Sequence, residues 1–176
     1  MSGMSAQVGD SGHQPKCASI GIPRIHAGED VNYMVSMIPK ELIDVCWSDA
    51  SPLLEKATLR SNGRFDVPSL HAEILRGHQQ LWAVFKGDEV VAALTTRIIT
   101  YPKIKALAIV FCGGRFLVEW GKDMHSLLKR FARDMGCQKM EITGRRGWLK
   151  RLEDEGWKPN YALMELDLTE VGHGFR

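Results

Sequence analysis

The spacing of hydrophobic residues along the chain changes from a helical period to a strand period near residue 80. Before this point, apolar residues recur every three or four positions, which is typical of amphipathic helices. The pattern predicts three helices there, beginning near Ile38, at Ser51-Pro52 and after the capping residue Asp66. Asn62-Gly63 ends the second helix, and Gly77 ends the third.

After residue 80 the pattern predicts three strands, a long helix, a strand, a short helix and a last strand. Gly136 directly follows the apolar stripe of the long helix, and we expect it to end that helix in a left-handed conformation. The third strand is apolar on both faces, so it should lie in the interior of the sheet. The predicted strands cover 80–86, 89–100, 105–111, 139–143 and 161–168, and the helices cover 118–135 and 146–155.

This order of elements predicts an α/β (α+β) fold in a single domain, with a mixed central sheet flanked by helices. Residues 1–30 differ from the rest because Ser, Gly, Gln and Pro dominate and neither period is present. We expect 1–30 to be a flexible N-terminal arm, or one that a protein partner or a second copy of the chain orders, and 31–176 to form the domain.

Composition and charge exclude several classes of protein. With 176 residues, 44% hydrophobic and 25% charged, the chain is long enough for one globular core and is unlike a disordered or fibrous protein. Lys and Arg exceed Asp and Glu by 23 − 21 = 2, so net charge does not indicate a nucleic-acid partner. The densest basic segment, 143–151, contains one aromatic residue, Trp148, which we expect in the core with Leu149 and Leu152. Because no further aromatic residue lies beside its cations, sequence-specific nucleic-acid recognition is disfavoured.

The cysteines and the longest apolar run predict a cytoplasmic protein without a metal site. Cys17, Cys46, Cys112 and Cys137 are scattered and form no C-x-x-C pair, so we expect reduced thiols that pack in small spaces. The run 106–111 is far shorter than the roughly 20 residues of a membrane helix. The polar N-terminus has no apolar segment typical of a signal peptide.

The order of elements from residue 80 to 168, with the pair Gly156-Trp157 after the short helix, resembles the GNAT superfamily of N-acetyltransferases. The stretches F-C-G-G at 111–114, F-A-R-D-M-G-C at 131–137 and E-I-T-G-R-R-G-W at 141–148 are similar to GNAT-like proteins of tailed bacteriophages. The resemblance covers about half of the 176 residues. It implies the GNAT fold, acetyl-CoA as the cofactor, virion proteins as partners, and the host cytoplasm or a virion as the location.

The resemblance also implies a site for the pyrophosphate of CoA where the long helix begins, since a helix N-terminus favours anions. An alternative is that Gly113-Gly114 only bends the strand and Arg115 is solvated. A Walker loop is excluded, because six residues separate Gly114 from Gly121 where four are needed. The candidate cofactor-binding residues are Gly113, Gly114, Arg115, Gly121 and Lys122.

The resemblance further implies a proton-donating Tyr four residues before the Gly of the Gly-aromatic pair. The matching residue is Leu152, which has no proton to donate. The remaining candidate catalytic residues are Tyr161 as an acid and Glu141 as a base acting through water, unless Glu141 only pairs with a nearby cation. Cys112 with His125 is a weaker candidate pair, since a thiol at a strand end is more often packed.

Two hypotheses for the function follow. The first is a GNAT-like acyl-CoA N-acyltransferase whose acetyl transfer is weak or absent. The second is a non-catalytic component of a phage virion or head–tail structure that uses the same fold as a scaffold.

Overall fold

A computed structural model describes residues 17–23, 25–27, 33–144 and 146–168. The chain divides into two compact units, with the boundary after Ile142. The first unit contains a mixed six-stranded sheet in which spatial order equals chain order. β1 to β5 are antiparallel, and β6 pairs parallel with β5. The strands are β1 (Ile25–Ala27), β2 (Tyr33–Met37), β3 (Gln80–Lys86), β4 (Glu89–Thr100), β5 (Lys105–Gly114) and β6 (Lys139–Ile142).

Four helices are described, three in the first unit and one in the second. Short 3-10 turns precede α1 and lie at Cys17–Ser19. Asp66 caps α2 as predicted, accepting from the Ser69 N–H at 2.8 Å while Ser69 Oγ accepts from the Asp66 N–H. The helices are α1 (Ile43–Thr58), α2 (Val67–Leu75), α3 (Leu117–Asp134) and α4 (Arg146–Glu153).

The sheet is covered on both faces because its central strands are apolar on both sides. In β3, Leu81, Ala83 and Phe85 pack with α1 and α2, whereas Trp82 and Val84 pack with α3. Successive side chains of a strand point to opposite faces, so one strand contributes to two separate cores. The predicted mixed sheet flanked by helices and the interior position of β5 are confirmed.

The hydrophobic stripe of α3 recurs every four residues and ends in a complete C-terminal cap. The stripe residues Trp120, Met124, Leu128 and Ala132 are buried against the sheet. Gly136 has φ +73°, as predicted. The Gly136 N–H donates to the Arg133 carbonyl, and the Cys137 N–H donates to that of Ala132 at 2.8 Å, the pair of bonds that defines a Schellman motif.

The prediction of two separate helices before Asn62 is wrong, because α1 runs through Pro52 without a break. Proline removes one hydrogen bond in a helix interior and clashes with the preceding turn. Here Pro52 lies on the exposed side, while Cys46, Ala50 and Leu54 form a continuous buried stripe on the opposite side. Burial of that stripe outweighs the local cost of the proline.

The prediction that regular structure starts near Ile38 is also wrong, since β1 and β2 precede it. In β2, Tyr33 and Val35 lie on the α3 face and Met34 packs on the other, an alternation that could have been read as a strand. Cys17 and Ile22, within the predicted arm 1–30, are buried in the core beneath α1, so these two residues pack on the domain itself. The parts of the predicted arm at 1–16, 24 and 28–30 lie outside the described residues.

The prediction of four reduced thiols is wrong for Cys17 and Cys46, which form a disulfide. Cys112 and Cys137 are free. The bond joins the 3-10 turn before β1 to α1, and the Cys17 N–H also donates to the Asp49 carboxylate at 3.1 Å. Scattered spacing cannot reveal such a pair, since it depends on how the chain folds back. Because of this disulfide, the cysteines no longer support the prediction of a cytoplasmic protein.

The predicted last strand at 161–168 is not formed, because these residues have no ladder partner. Alternating hydrophobicity favours a strand, but a strand exists only when another strand provides hydrogen bonds. In the same unit, α4 ends as predicted at Gly156, which has φ +84°. The Trp157 N–H donates to the Leu152 carbonyl at 3.2 Å, so the Gly-aromatic pair closes the helix.

Candidate functional site

β5 continues beyond the end of its neighbour β6. The parallel pairing ends at Ile109 and Ile142, and β5 runs on from Val110 to Gly114. The register with β4 shifts at the same point, so Val110 has no partner there and forms a bulge. In the described part of the chain, β5 past Ile109 therefore has one edge without a strand.

α3 begins three residues after the end of β5, and its first turn lacks a complete cap. Phe116 precedes it in a left-handed conformation, φ +61°, and no side chain caps the helix. The N–H of Glu119 donates to the Phe116 carbonyl at 3.0 Å. Among the described residues, none accepts the N–H of Leu117 or Val118. Two backbone donors and the positive end of the helix dipole therefore face outward from this turn.

Gly113 and Gly114 are required by close packing of the backbone. A Cβ on Gly113 would lie 1.8 Å from the Leu53 carbonyl oxygen of α1, and one on Gly114 would lie 2.4 Å from the Cα of Ala92. Gly114 also has φ +132°. These glycines bring β5 against α1 and β4 and set where α3 begins, whereas direct contact with a cofactor stays a prediction for both.

Arg115 is engaged by an acidic neighbour. Its guanidinium donates to the Glu89 carboxylate across the strand ends, and it lies 5.6 Å from the centre of the Phe116 ring. The Lys86 ammonium lies 4.7 Å from the same ring and 5.5 Å from that of Tyr33. Both cations lie near the Phe116 ring and bring positive charge to the start of α3. Sequence reasoning missed Lys86, because a Lys that ends a strand carries no recognisable signal.

Gly121 and Lys122 lie in the first turns of α3. A Cβ on Gly121 would meet the Leu117 side chain at 3.3 Å, so this glycine allows the first turn to pack closely. Lys122 is exposed and forms no ion pair within the described ranges. Trp120, in the same turn, is buried and donates its indole N–H to the Arg115 carbonyl at 2.7 Å. This bond fixes the angle between the end of β5 and α3.

Glu141 lies on β6, on the face of the sheet opposite α3. Its neighbour Met140 packs against the α3 core, so the alternation of the strand places Glu141 on the other side. The Tyr101 hydroxyl donates to the Glu141 carboxylate at 3.0 Å. Tyr101 follows the end of β4, and sequence reasoning missed its contact with Glu141 because the two residues are 40 positions apart along the chain.

Tyr161 and Leu152 belong to the second compact unit, and each is described within that unit. Tyr161 is 77% exposed. Leu152 lies in α4, half-buried, and its carbonyl accepts the bonds that end the helix.

Cys112 lies on β5 beyond the bulge. Burial raises the pKa of its thiol to about 11, so the group is protonated at neutral pH. A protonated buried thiol is a poor nucleophile, which supports a packing role.

Two further structural findings concern metals and membranes. No group of three or more His, Cys, Asp or Glu side chains that could hold a metal ion is present in the described ranges. Within those same ranges, no helix is long and apolar enough to cross a membrane.

No family model matches the sequence, and no curated protein sequence is similar to it. Solved structures, by contrast, match closely in fold. An acetyltransferase from Trypanosoma brucei superposes with a TM-score of 0.58 at 15% identity, covering 78% of this chain and 100% of that protein. Glucosamine-6-phosphate N-acetyltransferase from Arabidopsis thaliana gives 0.57 at 14% identity, covering 78% and 99%.

A third structure, a predicted acetyltransferase from Clostridium acetobutylicum with acetyl-CoA, gives a TM-score of 0.56 at 13% identity, covering 80% of this chain and 99% of that protein. At such identities the likeness shows the fold. The chain therefore has the fold of GNAT acetyltransferases, as the sequence resemblance implies. These structures give no support to the implied phage origin.

Proposed function

We propose that the chain binds an acyl-CoA between the free edge of β5 and the first turn of α3, and that its transfer of the acyl group is weak or absent. The observation that carries the proposal is the continuation of β5 past β6 into a helix whose Leu117 and Val118 N–H groups have no acceptor among the described residues. Ligands in open α/β sheets bind where neighbouring strands part at their carboxyl ends.

The residues at this point fit the two chemical parts of an acyl-CoA. Its pyrophosphate is anionic, and the Leu117 and Val118 N–H groups offer donors at the positive end of a helix. Lys86 adds a positive charge beside the same turn. The amide-containing part of the CoA molecule needs backbone donors and acceptors. The free edge of β5 from Val110 to Gly114 can supply them. Bound acetyl-CoA would supply the activated thioester.

The proposal of weak transfer comes from the missing proton donor. The thiolate of CoA needs a proton as it leaves, and general acid help is worth about 10²–10⁴ in rate. Leu152 occupies the matching position of the family's Tyr, and Cys112 is too weak an acid, with a pKa of about 11. We assign Glu141, held by Tyr101, as the candidate base, and Tyr161 stays the candidate acid.

Calorimetric titration of acetyl-CoA into the full chain tests this proposal. Val118→Pro removes one N–H from the first turn of α3, while Val118→Ala keeps it. The position tolerates proline, since α2 carries Pro68 at the equivalent second residue. We expect the Pro variant to bind about tenfold or more weakly than the Ala variant, the usual effect of losing a hydrogen bond to a charged group. Equal affinities, or no heat from the parent chain, would contradict the proposed site.

Activity assays separate binding from chemistry. If acyl-CoA binds, we expect slow or absent acetyl transfer to common amines by the parent chain. Leu152→Tyr should raise the rate only if α4 presents that position to the thioester. Brisk turnover by the parent chain would overturn the proposal of weak transfer and leave the binding site standing.

One observation favours a second candidate, a non-catalytic assembly component. The segment 161–168 exposes five large apolar side chains within eight residues, and a contiguous exposed apolar patch marks an interaction site. A partner protein, or a second copy of the chain, would cover them. A phage virion as the setting rests on the sequence resemblance alone. The exposed residues are Tyr161, Leu163, Met164, Leu166 and Leu168.

Sedimentation of the parent chain and of Leu166→Ser/Leu168→Ser tests the second candidate. We expect concentration-dependent association that the double variant loses. A parent chain that stays monomeric at all concentrations, together with acetyl-CoA binding, would favour the first function alone.

A further inference from the structure

A cluster of exposed cations surrounds the C-terminal end of α3, well away from the proposed acyl-CoA site at its other end. Three of them lie on the outward face of the helix, opposite the buried stripe. One more comes from β6, one from the start of β5 and one from the connection that precedes β5. We call these residues the α3 basic surface: Lys103, Lys105, Lys129, Arg130, Arg133 and Lys139.

The backbone joins these cations at one edge of the sheet. After the Schellman motif of α3, the Gln138 N–H donates to the Lys105 carbonyl at 2.9 Å, and Gln138 Oε1 accepts from the Lys105 N–H at 2.7 Å. Lys139, at the start of the edge strand β6, pairs with Ala106, the next residue of β5. Because Met140 packs toward α3, the Lys139 side chain lies on the other face of the sheet, so the cations follow this edge around from α3.

None of the six cations forms an ion pair in the part of the chain that the structure describes. Other cations do pair there, such as Arg115 with Glu89 and Arg76 with Glu73. Asp134 is the only acidic residue within 129–139 and 103–105, and Glu141 already accepts a bond from Tyr101. The net charge of the whole chain is only +2, whereas 103–105 and 129–139 together hold six cations and one acidic residue.

The helix dipole explains only part of this arrangement. A cation in the last turn, such as Arg133, is stabilised by the negative end of α3. The helix dipole does not explain the other three cations, because they lie outside the helix: Lys103, Lys105 and Lys139. Six neighbouring cations repel one another, and this repulsion favours a polyanionic partner.

We infer that the α3 basic surface binds the phosphate backbone of nucleic acid without reading its sequence. Its exposed Lys and Arg side chains can neutralise phosphates and donate hydrogen bonds to them. Met135 is the only large apolar side chain exposed in 129–139, so the surface has little to insert into a bilayer or to build a hydrophobic protein interface. The absence of exposed aromatic residues from 129–139 disfavours base stacking.

The test is fluorescence anisotropy of a labelled DNA duplex of about 20 base pairs with the full chain, at salt concentrations from about 0.05 to 0.2 M. The variant is Lys129→Gln/Arg130→Gln/Arg133→Gln. The matched control is Lys40→Gln/Lys56→Gln/Arg60→Gln, which removes three exposed cations on the α1 side. All three proteins are first compared by circular dichroism and thermal unfolding.

We expect binding that weakens with salt, the same for two unrelated sequences. If the variant loses three phosphate contacts, the slope of log K against log salt should fall by about 3 × 0.9. The control should bind like the parent chain.

Three results would overturn the inference: no binding at the lowest salt, an equal loss in the variant and the control, or a clear preference between sequences. A polyglutamate chain or anionic vesicles of phosphatidylserine that bind better than DNA would overturn the assignment of the partner. If the variant unfolds, Lys105→Gln/Lys139→Gln, whose residues lie outside the helix, takes its place with an expected fall of about 2 × 0.9.

Discussion

The two ends of α3 are built in different ways. At the C-terminal end, the local sequence provides every partner, since Gly136 takes φ +73° and two N–H groups satisfy the last carbonyls. At the N-terminal end, no side chain caps the helix and Phe116 takes a left-handed conformation that glycine would adopt more easily. Two contacts lie at that end instead: Lys86 of β3 beside the Phe116 ring, and the bond from the Trp120 indole to the Arg115 carbonyl.

The hydrogen bonds at the C-terminal end of α3 stabilise the fold, whereas the N–H groups at its N-terminal end are available to a ligand. A fully capped end has nothing left to offer a ligand. An uncapped end has two outward N–H groups that no described residue accepts, so they can donate to water or to a ligand. A strained residue at such a place is itself a reason to look for a function.

The largest effect should come from Gly113, which lets β5 pass against α1 just before the N-terminal end of α3. A methyl group on this residue would lie 1.8 Å from the Leu53 carbonyl oxygen, and the backbone of α1 cannot give way locally. We expect Gly113→Ala to lower the free energy of unfolding by about 3 kcal/mol or more, at the upper end of overpacking costs. Urea denaturation measures it.

Gly121→Ala is the matched control for Gly113→Ala. The added methyl would meet only the flexible end of Leu117, at 3.3 Å, and alanine favours a helix more than glycine does. An unchanged or higher free energy of unfolding is expected. If both variants lose stability equally, close packing of Gly113 is not what positions α3.

The second effect concerns the C-terminal cap. A side chain on Gly136 would meet nothing within 4 Å, so any cost is conformational. We expect Gly136→Val to lower the free energy of unfolding by about 1–3 kcal/mol, the cost of a β-branched residue at positive φ. Gly136→Asn should cost less, because asparagine tolerates this conformation. Equal losses for Val and Asn would show that the motif does not depend on backbone conformation.

The smallest effect on stability should come from Phe116. Phe116→Gly removes the strain of its left-handed backbone, φ +61°, and also removes the ring that lies near Tyr33 and two cations. The relief of strain and the loss of the ring contacts oppose each other. We therefore expect the free energy of unfolding, measured by thermal unfolding, to change by less than about 1 kcal/mol. Acetyl-CoA affinity should rise or stay unchanged, because the first turn becomes more open. A large loss of affinity would mean that the ring itself contacts the ligand.

Most of the sheet and of the helices could be predicted from the sequence, because their patterns are strong and local. β3, β4 and the Asp66 and Gly136 caps follow from periodicity and capping rules. The misses required knowledge of tertiary contacts. Pro52 stays helical only because the stripe around it is buried, and the alternation at 161–168 forms no strand without a partner edge.

The candidate site was less predictable than the fold. Its glycines were found from sequence, but their packing against Leu53 and Ala92 depends on the approach of α1 and β4. Tyr101 and Lys86 were missed because their partners, Glu141 and Phe116, lie far along the chain. The disulfide of Cys17 likewise depends on a fold-back of the chain that spacing does not encode.

Amide chemical shifts of the ¹⁵N-labelled chain during titration with acetyl-CoA test the central claim most directly, since they compare both ends of α3 in one experiment. We predict the largest changes at Leu117 and Val118 and along β5 from Cys112 to Gly114. The amides of Gly136 and Cys137, already bonded in the cap, should stay nearly unchanged. Changes confined to the C-terminal end of α3, or none at about 1 mM ligand, would contradict the proposed acyl-CoA site.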